Sequence, residues 1–170
     1  MSANLPEVLD AWRMVAARRS FEGRLPLASM GRLRDSLLDA EGEVAYVVEF
    51  GTDSLQVPYV ELQIDAALPL ECQRSLQRYL EPVRIVQRLG LIRDEEDEAG
   101  LPPGYEPLLM AEHGELRPAE LIEDELILAV PVVPVDPDSD AVQNDWPADE
   151  EEVKQANPFA ALAALKEKKN

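Results

Sequence analysis

The chain has 170 residues, and 46% of them are hydrophobic, which is enough to form the core of one domain. A single cysteine excludes an internal disulfide, and a formal net charge of −18 opposes any broad attraction to nucleic acid. Acids stand near the N-terminus where a signal peptide would be basic, and the longest apolar run, 126–135, is about half of the roughly 20 residues that a membrane helix needs. We therefore expect a soluble cytoplasmic protein without a membrane segment.

The charge is distributed unevenly along the chain. Residues 1–34 contain six arginines and three acids, and residues 71–93 contain five arginines and two acids. Residues 94–152, in contrast, contain twenty acids and one arginine. Because the summed field repels phosphate, any contact with RNA has to be local, and charge alone favours a basic protein partner.

Apolar periodicity predicts the regular elements in chain order. An amphipathic helix is expected over 5–20 and a shorter one over 28–40, with Ser29 as a possible N-cap. Alternating apolar and polar residues predict half-buried strands, followed by a last helix over 118–130 that Pro131 ends. The predicted strands are 21–28, 43–50, 57–70, 80–92 and a short one within 105–115.

These elements predict an α+β fold in which an antiparallel sheet has helices packed on one side. The domain is expected to span 1–134, followed by an acidic, proline-rich linker over 135–156 that is predicted to be disordered. A short helix over 157–170 is expected to end the chain, with an apolar stripe that could bind a partner or dock on its own domain. The stripe consists of Phe159, Leu162 and Leu165.

The stretch "LECQRSLQRYLEP" (70–82) raises the question of a metal site. Cys72 and Ser75 have the C-x-x-S spacing, whereas a zinc knuckle needs two thiolates there and two further ligands. The chain has no second cysteine, and its one histidine, His113, is about forty residues away and has no visible catalytic partner. We interpret Cys72 as a buried thiol at a strand end, and we predict no metal, no cofactor and no enzymatic activity.

Arginines provide the candidate binding residues of the same region. Arg84 and Arg88 share one face of a predicted strand, so they could contact phosphate or another partner. The alternative is a solvated sheet face, on which rows of arginine are common. The complete candidate set is Arg74, Arg78, Tyr79, Arg84 and Arg88.

One carboxylate of the last helix is placed unusually by the helical wheel. Glu125 falls inside the apolar arc, whereas Glu123 and Asp124 fall outside it. A carboxylate among core positions needs a partner, so we expect Glu125 to be buried and paired, most plausibly with an arginine. The alternative is that Glu125 lies at the edge of the arc and reaches water.

Four stretches resemble the YceD family, bacterial and plastid proteins that are named for large ribosomal RNA subunit accumulation. They are "LECQRS" (70–75), "YEPLLMAEHGEL" (105–116), "LIEDELILAVPVVPV" (121–135) and "NPFAALAALK" (157–166). Many members of the family have C-x-x-C at the position of Cys72 and Ser75, and further cysteines after the "PVVP" block. If that pattern is a zinc site, the resemblance implies that this chain has lost it.

The resemblance implies a factor that supports the synthesis, processing or stability of 23S rRNA. We expect such a factor to act on precursors of the large ribosomal subunit, through the rRNA or a protein bound to it. An alternative is an acidic escort for a basic protein of the large subunit, because an acidic surface would screen the client from RNA. Neither role requires a small-molecule substrate.

Overall fold

The computed structural model describes residues 5–139 and has the predicted α+β fold. The predicted C-terminal helix and the linker beyond Ser139 lie outside the described residues. The strands are β1 (Leu9–Asp10), β2 (Ser20–Pro26), β3 (Glu43–Thr52), β4 (Pro58–Glu71), β5 (Arg78–Ile92), β6 (Glu106–Leu109) and β7 (Glu115–Leu116). The helices are α1 (Ala11–Ala17), α2 (Gly31–Arg34) and α3 (Pro118–Ala129), and 3₁₀ turns cover Leu27–Ser29 and Glu95–Gly100. No helix of this part of the chain is long and apolar enough to cross a bilayer.

The main sheet has the strand order β2-β3-β4-β5-β6. Strands β2 to β5 are antiparallel neighbours, as predicted, but β6 joins β5 in parallel. The parallel strand was not predicted, because a two-residue period reveals which face of a strand is buried and not the direction in which the strand runs. A two-residue bridge between β1 and β7 lies outside this sheet and ties the start of the chain to the segment before α3.

One face of the main sheet packs against the helices and forms the hydrophobic core with them. The inward residues of the central strands are almost completely buried, and the helices cover them with apolar side chains of their own. These contacts include Val48, Leu62 and Ile64 of the sheet, Val15 of α1, and Ile122 and Leu126 of α3. The opposite face, here called the open face, holds half-buried and exposed side chains such as Val47, Gln63, Asp65, Arg84 and Val86.

The first two helices are shorter than periodicity predicts. Helix α1 begins at Ala11, where the Asp10 carboxylate accepts the backbone N–H of Arg13 at 3.0 Å, because the preceding residues pair with β7. It ends at Arg18, whose backbone is left-handed (φ 48°). Helix α2 spans only one turn, and the hydroxyl of Ser29 donates to the carbonyl of Pro26 instead of capping it.

Helix α3 supplies the missing cap of α2 through Glu123. Its Oε1 accepts the backbone N–H groups of Arg32 at 2.7 Å and of Leu33 at 3.0 Å, which are the second and third residues of α2. The other oxygen, Oε2, accepts from the Arg32 guanidinium, and Asp124 binds the same guanidinium. Glu123 is only 7% exposed. A carboxylate from a neighbouring helix thus satisfies N–H groups that α2 cannot satisfy itself.

The structure therefore corrects the prediction for Glu125. Glu125 is half-buried and has no hydrogen bond or ion pair within the described residues, and burial, followed by Glu106 and Asp124, raises the pKa of its carboxyl. The buried, paired carboxylate is Glu123, which the helical wheel placed outside the apolar arc. The wheel was wrong here because it considers only packing on the sheet, whereas α2 packs on a second side of α3.

We predict that Glu123→Ala destabilises the protein by about 2–4 kcal/mol, because it removes the acceptor of the buried Leu33 N–H and of the part-buried Arg32 N–H and one of the two carboxylates that bind the Arg32 guanidinium. Glu125→Ala is the matched control in the same helix and should change the free energy of unfolding by no more than about 0.5 kcal/mol. Urea unfolding of both variants measures the difference. Equal effects of the two substitutions would contradict the capping role of Glu123.

Candidate functional site

The arginines that the sequence singled out do not form one site. Arg78, Arg84 and Arg88 lie on β5 at even positions and so share the open face, which was predicted for Arg84 and Arg88. Ten residues separate the first from the last, which is a distance of about 33 Å along the strand. Arg74 lies in the turn before β5 and donates to the backbone carbonyl of Ser139 at 3.0 Å.

Each arginine of the row on β5 is paired with an acid. Two of the pairs are cross-strand pairs in which the acid stands directly opposite the arginine on β4, and they are exposed or partly exposed. The pairs are Arg78 with Asp39 (2.6 Å) and Glu41 (3.3 Å), Arg84 with Asp65 (2.8 Å), and Arg88 with Glu61. The row therefore has little net positive charge, although its guanidinium groups keep donors that face solvent.

Tyr79 points to the opposite side of β5 and packs in the core. It is 8% exposed, and its hydroxyl has no hydrogen-bond partner within the described residues. Burial, together with the nearby carboxylate of Glu81, raises the pKa of Tyr79 to about 12. The ring is thus not available in this structure for stacking on a base.

Arg88 instead belongs to an aromatic cluster at the end of the sheet. Its guanidinium lies 4.6 Å from the ring centre of Tyr59 and 5.7 Å from that of Tyr105. The Tyr105 hydroxyl donates to Asp53 at 2.9 Å, which fixes the ring. The Glu61 carboxylate, followed by the Tyr105 hydroxyl, raises the pKa of Arg88 above its ordinary value. Sequence analysis found the arginine but missed both tyrosines, which lie far from it in the chain.

A polar groove of about 240 Å³ adjoins this cluster on the side of α1. Tyr59 forms one wall, and the others come from the start of β2 and the end of β3. The Tyr59 ring lies against Gly51 and leaves no room for a side chain there. A Cβ at this position would stand 2.8 Å from the hydroxyl oxygen of Tyr59. The groove is lined by Arg18, Arg19, Ser20, Glu49, Thr52 and Tyr59, together with Phe50 and Gly51.

Comparison with known proteins agrees with the resemblance of the motifs. The model of the family described as "Large ribosomal RNA subunit accumulation protein YceD" matches residues 60–166. The chain belongs to the YceD family. A curated relative with that name, from Haemophilus influenzae (strain ATCC 51907 / DSM 11121 / KW20 / Rd), is 28% identical over 169 residues, which cover 96% of this chain and 97% of the relative. No solved structure matches the chain.

Within this YceD chain, Cys72 joins two turns that are distant in sequence. The backbone N–H groups of Ser75 (3.4 Å) and Asp136 (3.3 Å) point at its Sγ, and the Ser139 hydroxyl oxygen lies 3.5 Å away. A backbone bond from Gln73 to the carbonyl of Pro134 (2.8 Å) holds the two turns together. The first residues of the predicted linker, 135–139, are therefore packed against the domain.

The two facing turns do not fit a zinc ion. Each turn offers two positions three residues apart, which are Cys72 and Ser75 on one side and Asp136 and Ser139 on the other. A structural zinc site takes four thiolate or imidazole ligands, and only one is present here. No group of three or more potential metal ligands occurs within residues 5–139. Hydrogen bonds to sulfur connect the turns instead.

These hydrogen bonds make Cys72 acidic despite its burial. Burial on its own raises the pKa of the thiol, but the hydroxyls of Ser75 and Ser139 and the backbone N–H groups of Ser75 and Asp136 outweigh it, so that the pKa falls from 9.0 to about 6. A group whose pKa is lower in the folded state stabilises the fold above its unfolded pKa. This stabilisation is lost as the pH falls from about 9 towards about 6.

We predict that the free-energy cost of Cys72→Ser increases as the pH rises from 6 to 9, since the variant has no thiolate for the N–H groups to bind. Urea unfolding of both proteins across this range measures the cost. A chelator should leave the unfolding curve of the unmodified protein unchanged. A cost that is independent of pH would show that Cys72 stays a thiol, and a shift caused by the chelator would contradict the absence of metal.

Proposed function

We propose that this chain supports the accumulation of 23S rRNA by binding precursors of the large ribosomal subunit. The observation that carries the proposal is its membership of a family described by large ribosomal RNA subunit accumulation, with a relative of that name aligned over nearly the full length of both chains. We further propose that the chain acts in the cytoplasm by binding and not by catalysis. In support, the family description names no reaction.

A second candidate function is that of an acidic escort for a basic protein of the large subunit. The specific observation in its favour is that acids pair with the arginine row on β5, so the open face is not a basic surface. The net charge of −18 would attract a basic client and would keep it from stray RNA. The two functions differ in whether the contact depends on RNA.

Recovery of partners from cell lysate, with and without RNase, separates the two functions. We expect the tagged full-length chain to recover large-subunit precursors that are lost after RNase treatment. An unrelated protein of similar size and charge is the control for nonspecific ionic capture. A basic ribosomal protein that is retained after RNase treatment would support the escort function instead. Recovery of neither would contradict both.

The arginine row stays a proposed contact of the precursor. Arg84 is the most accessible arginine of the row on β5, because its side chain is 83% exposed even though it is paired with Asp65. We predict that Arg84→Glu weakens co-sedimentation with precursors and flattens its salt dependence. Arg24→Glu is a matched control, since Arg24 is also an exposed arginine of the main sheet that is paired with an acid, Glu43. Equal co-sedimentation of Arg84→Glu and the unmodified protein across a salt series would exclude the row.

A further inference from the structure

The arginines of this chain fall into two groups of equal size. Six are ion-paired with acids in the described part of the chain: Arg24, Arg32, Arg78, Arg84, Arg88 and Arg117. The other six have no carboxylate oxygen within 4.0 Å among the described residues. Four of these, Arg13, Arg18, Arg19 and Arg93, lie on or beside α1, and we call them the α1 surface.

The outer side of α1 is open to close approach by a partner. Arg13 shares this side with Ala16 and Ala17, three and four residues further along the helix, and all three are exposed. The helix has seven residues, so Arg13 and Arg18 stand within about 10 Å of each other along its axis. The two alanines add only small side chains to this side, and residues 11–21 contain three arginines and no acid.

The arginines at the end of α1 are attached to fixed backbone. The N–H of Arg18 donates to the carbonyls of Met14 and Val15, which closes the helix in a left-handed turn. The carbonyl of Arg19 then accepts the N–H of Phe50 at 2.8 Å, which ties this turn to β3. Both side chains therefore start from a rigid position above the groove that they line.

Aromatic rings, and not carboxylates, hold two of the guanidinium groups. Arg93 lies 4.8 Å from the ring centre of Trp12, and Arg19 lies 5.9 Å from that of Phe21. A cation held over a ring keeps its charge and its N–H donors, whereas a carboxylate neutralises the charge and occupies the donors. These arginines thus remain able to bind an anion.

Acids are present around the α1 surface but do not neutralise it by contact. Asp10 uses its carboxylate to cap α1, and Glu49 lines the groove together with Arg18 and Arg19. Asp94 and Glu112 line the hollow that contains Trp12 and Arg93. Together with the charge of the whole chain, they repel a polyanion at long range and confine any attraction to direct contact with the guanidinium groups.

We propose that the α1 surface binds the sugar–phosphate backbone of RNA, and this inference rests on the proposed function. The unpaired guanidinium groups supply the donors for phosphate oxygens, and the groove beside Tyr59 receives the strand next to the helix. The contact reads no base edges, since it uses charge and hydrogen bonds to phosphate. Its affinity falls as the salt concentration rises, with a slope set by the few phosphates that it contacts.

The test compares two double variants of the full-length chain that change the net charge equally. Arg13→Gln/Arg18→Gln removes two members of the α1 surface, and Arg24→Gln/Arg34→Gln removes two exposed arginines elsewhere. The probes are a protein-free 23S rRNA transcript made in vitro and purified large-subunit precursors, each titrated across a salt series. We expect the first variant to lose about tenfold or more in affinity and to reduce the slope of log K against log salt by about 1.4, and the control to change little.

A third variant, Arg13→Lys/Arg18→Lys, keeps the charge and should retain most of the affinity, while thermal unfolding checks that every variant is folded. Equal losses in the two Gln variants, or no loss in either, would overturn the inference. If the unmodified chain binds precursors but not the protein-free transcript, the α1 surface does not bind RNA and any effect of its variants on precursors would indicate a protein partner. If it binds neither probe, the proposed function fails as well.

Discussion

The register between β4 and β5 is the constraint on which the rest of the domain depends. Thirteen residue pairs, from Tyr59 opposite Gly90 to Glu71 opposite Arg78, fix which side chains face the core and which face solvent. Because side chains alternate, a slip of β5 by one residue would turn Arg84 and Arg88 into the core and expose Val83 and Leu89 of the same strand. The large free-energy cost of burying the two arginines unpaired makes the observed register the stable one.

This register also determines the electrostatics of the open face. It places Asp65 opposite Arg84 and Glu61 opposite Arg88, so the most regular basic pattern of the sequence is largely neutralised by its own neighbours. Four of the six arginines that have no ion pair within the described residues lie on and beside α1, where no antiparallel partner strand supplies an acid. Ion pairing by neighbouring strands, more than the count of arginines, thus decides where this chain can bind an anion.

The sequence allows prediction of elements whose signal is local. Alternation located the long strands, and Pro118 and Pro131 located the ends of α3. What could not be predicted depends on contacts between distant segments. The cap that Glu123 provides for α2 joins residues about ninety positions apart, and the bonds between Cys72 and Asp136 join residues sixty-four positions apart. The unpaired α1 surface had one local signal, the acid-free stretch 11–21, but its meaning depends on which other arginines the fold neutralises.

The α1 surface is basic, whereas the chain as a whole has a net charge of −18, and these opposite charges act differently on ribosomal RNA. Long-range repulsion lowers the rate of encounter with phosphate, and the complex is stabilised only by short-range contacts at a few guanidinium groups. A small number of phosphate contacts also gives a shallower salt dependence than a broad basic surface would give. A factor that acts as proposed binds where the RNA presents phosphates that the α1 surface can reach, and the rest of the particle repels it. It therefore dissociates when assembly covers those phosphates.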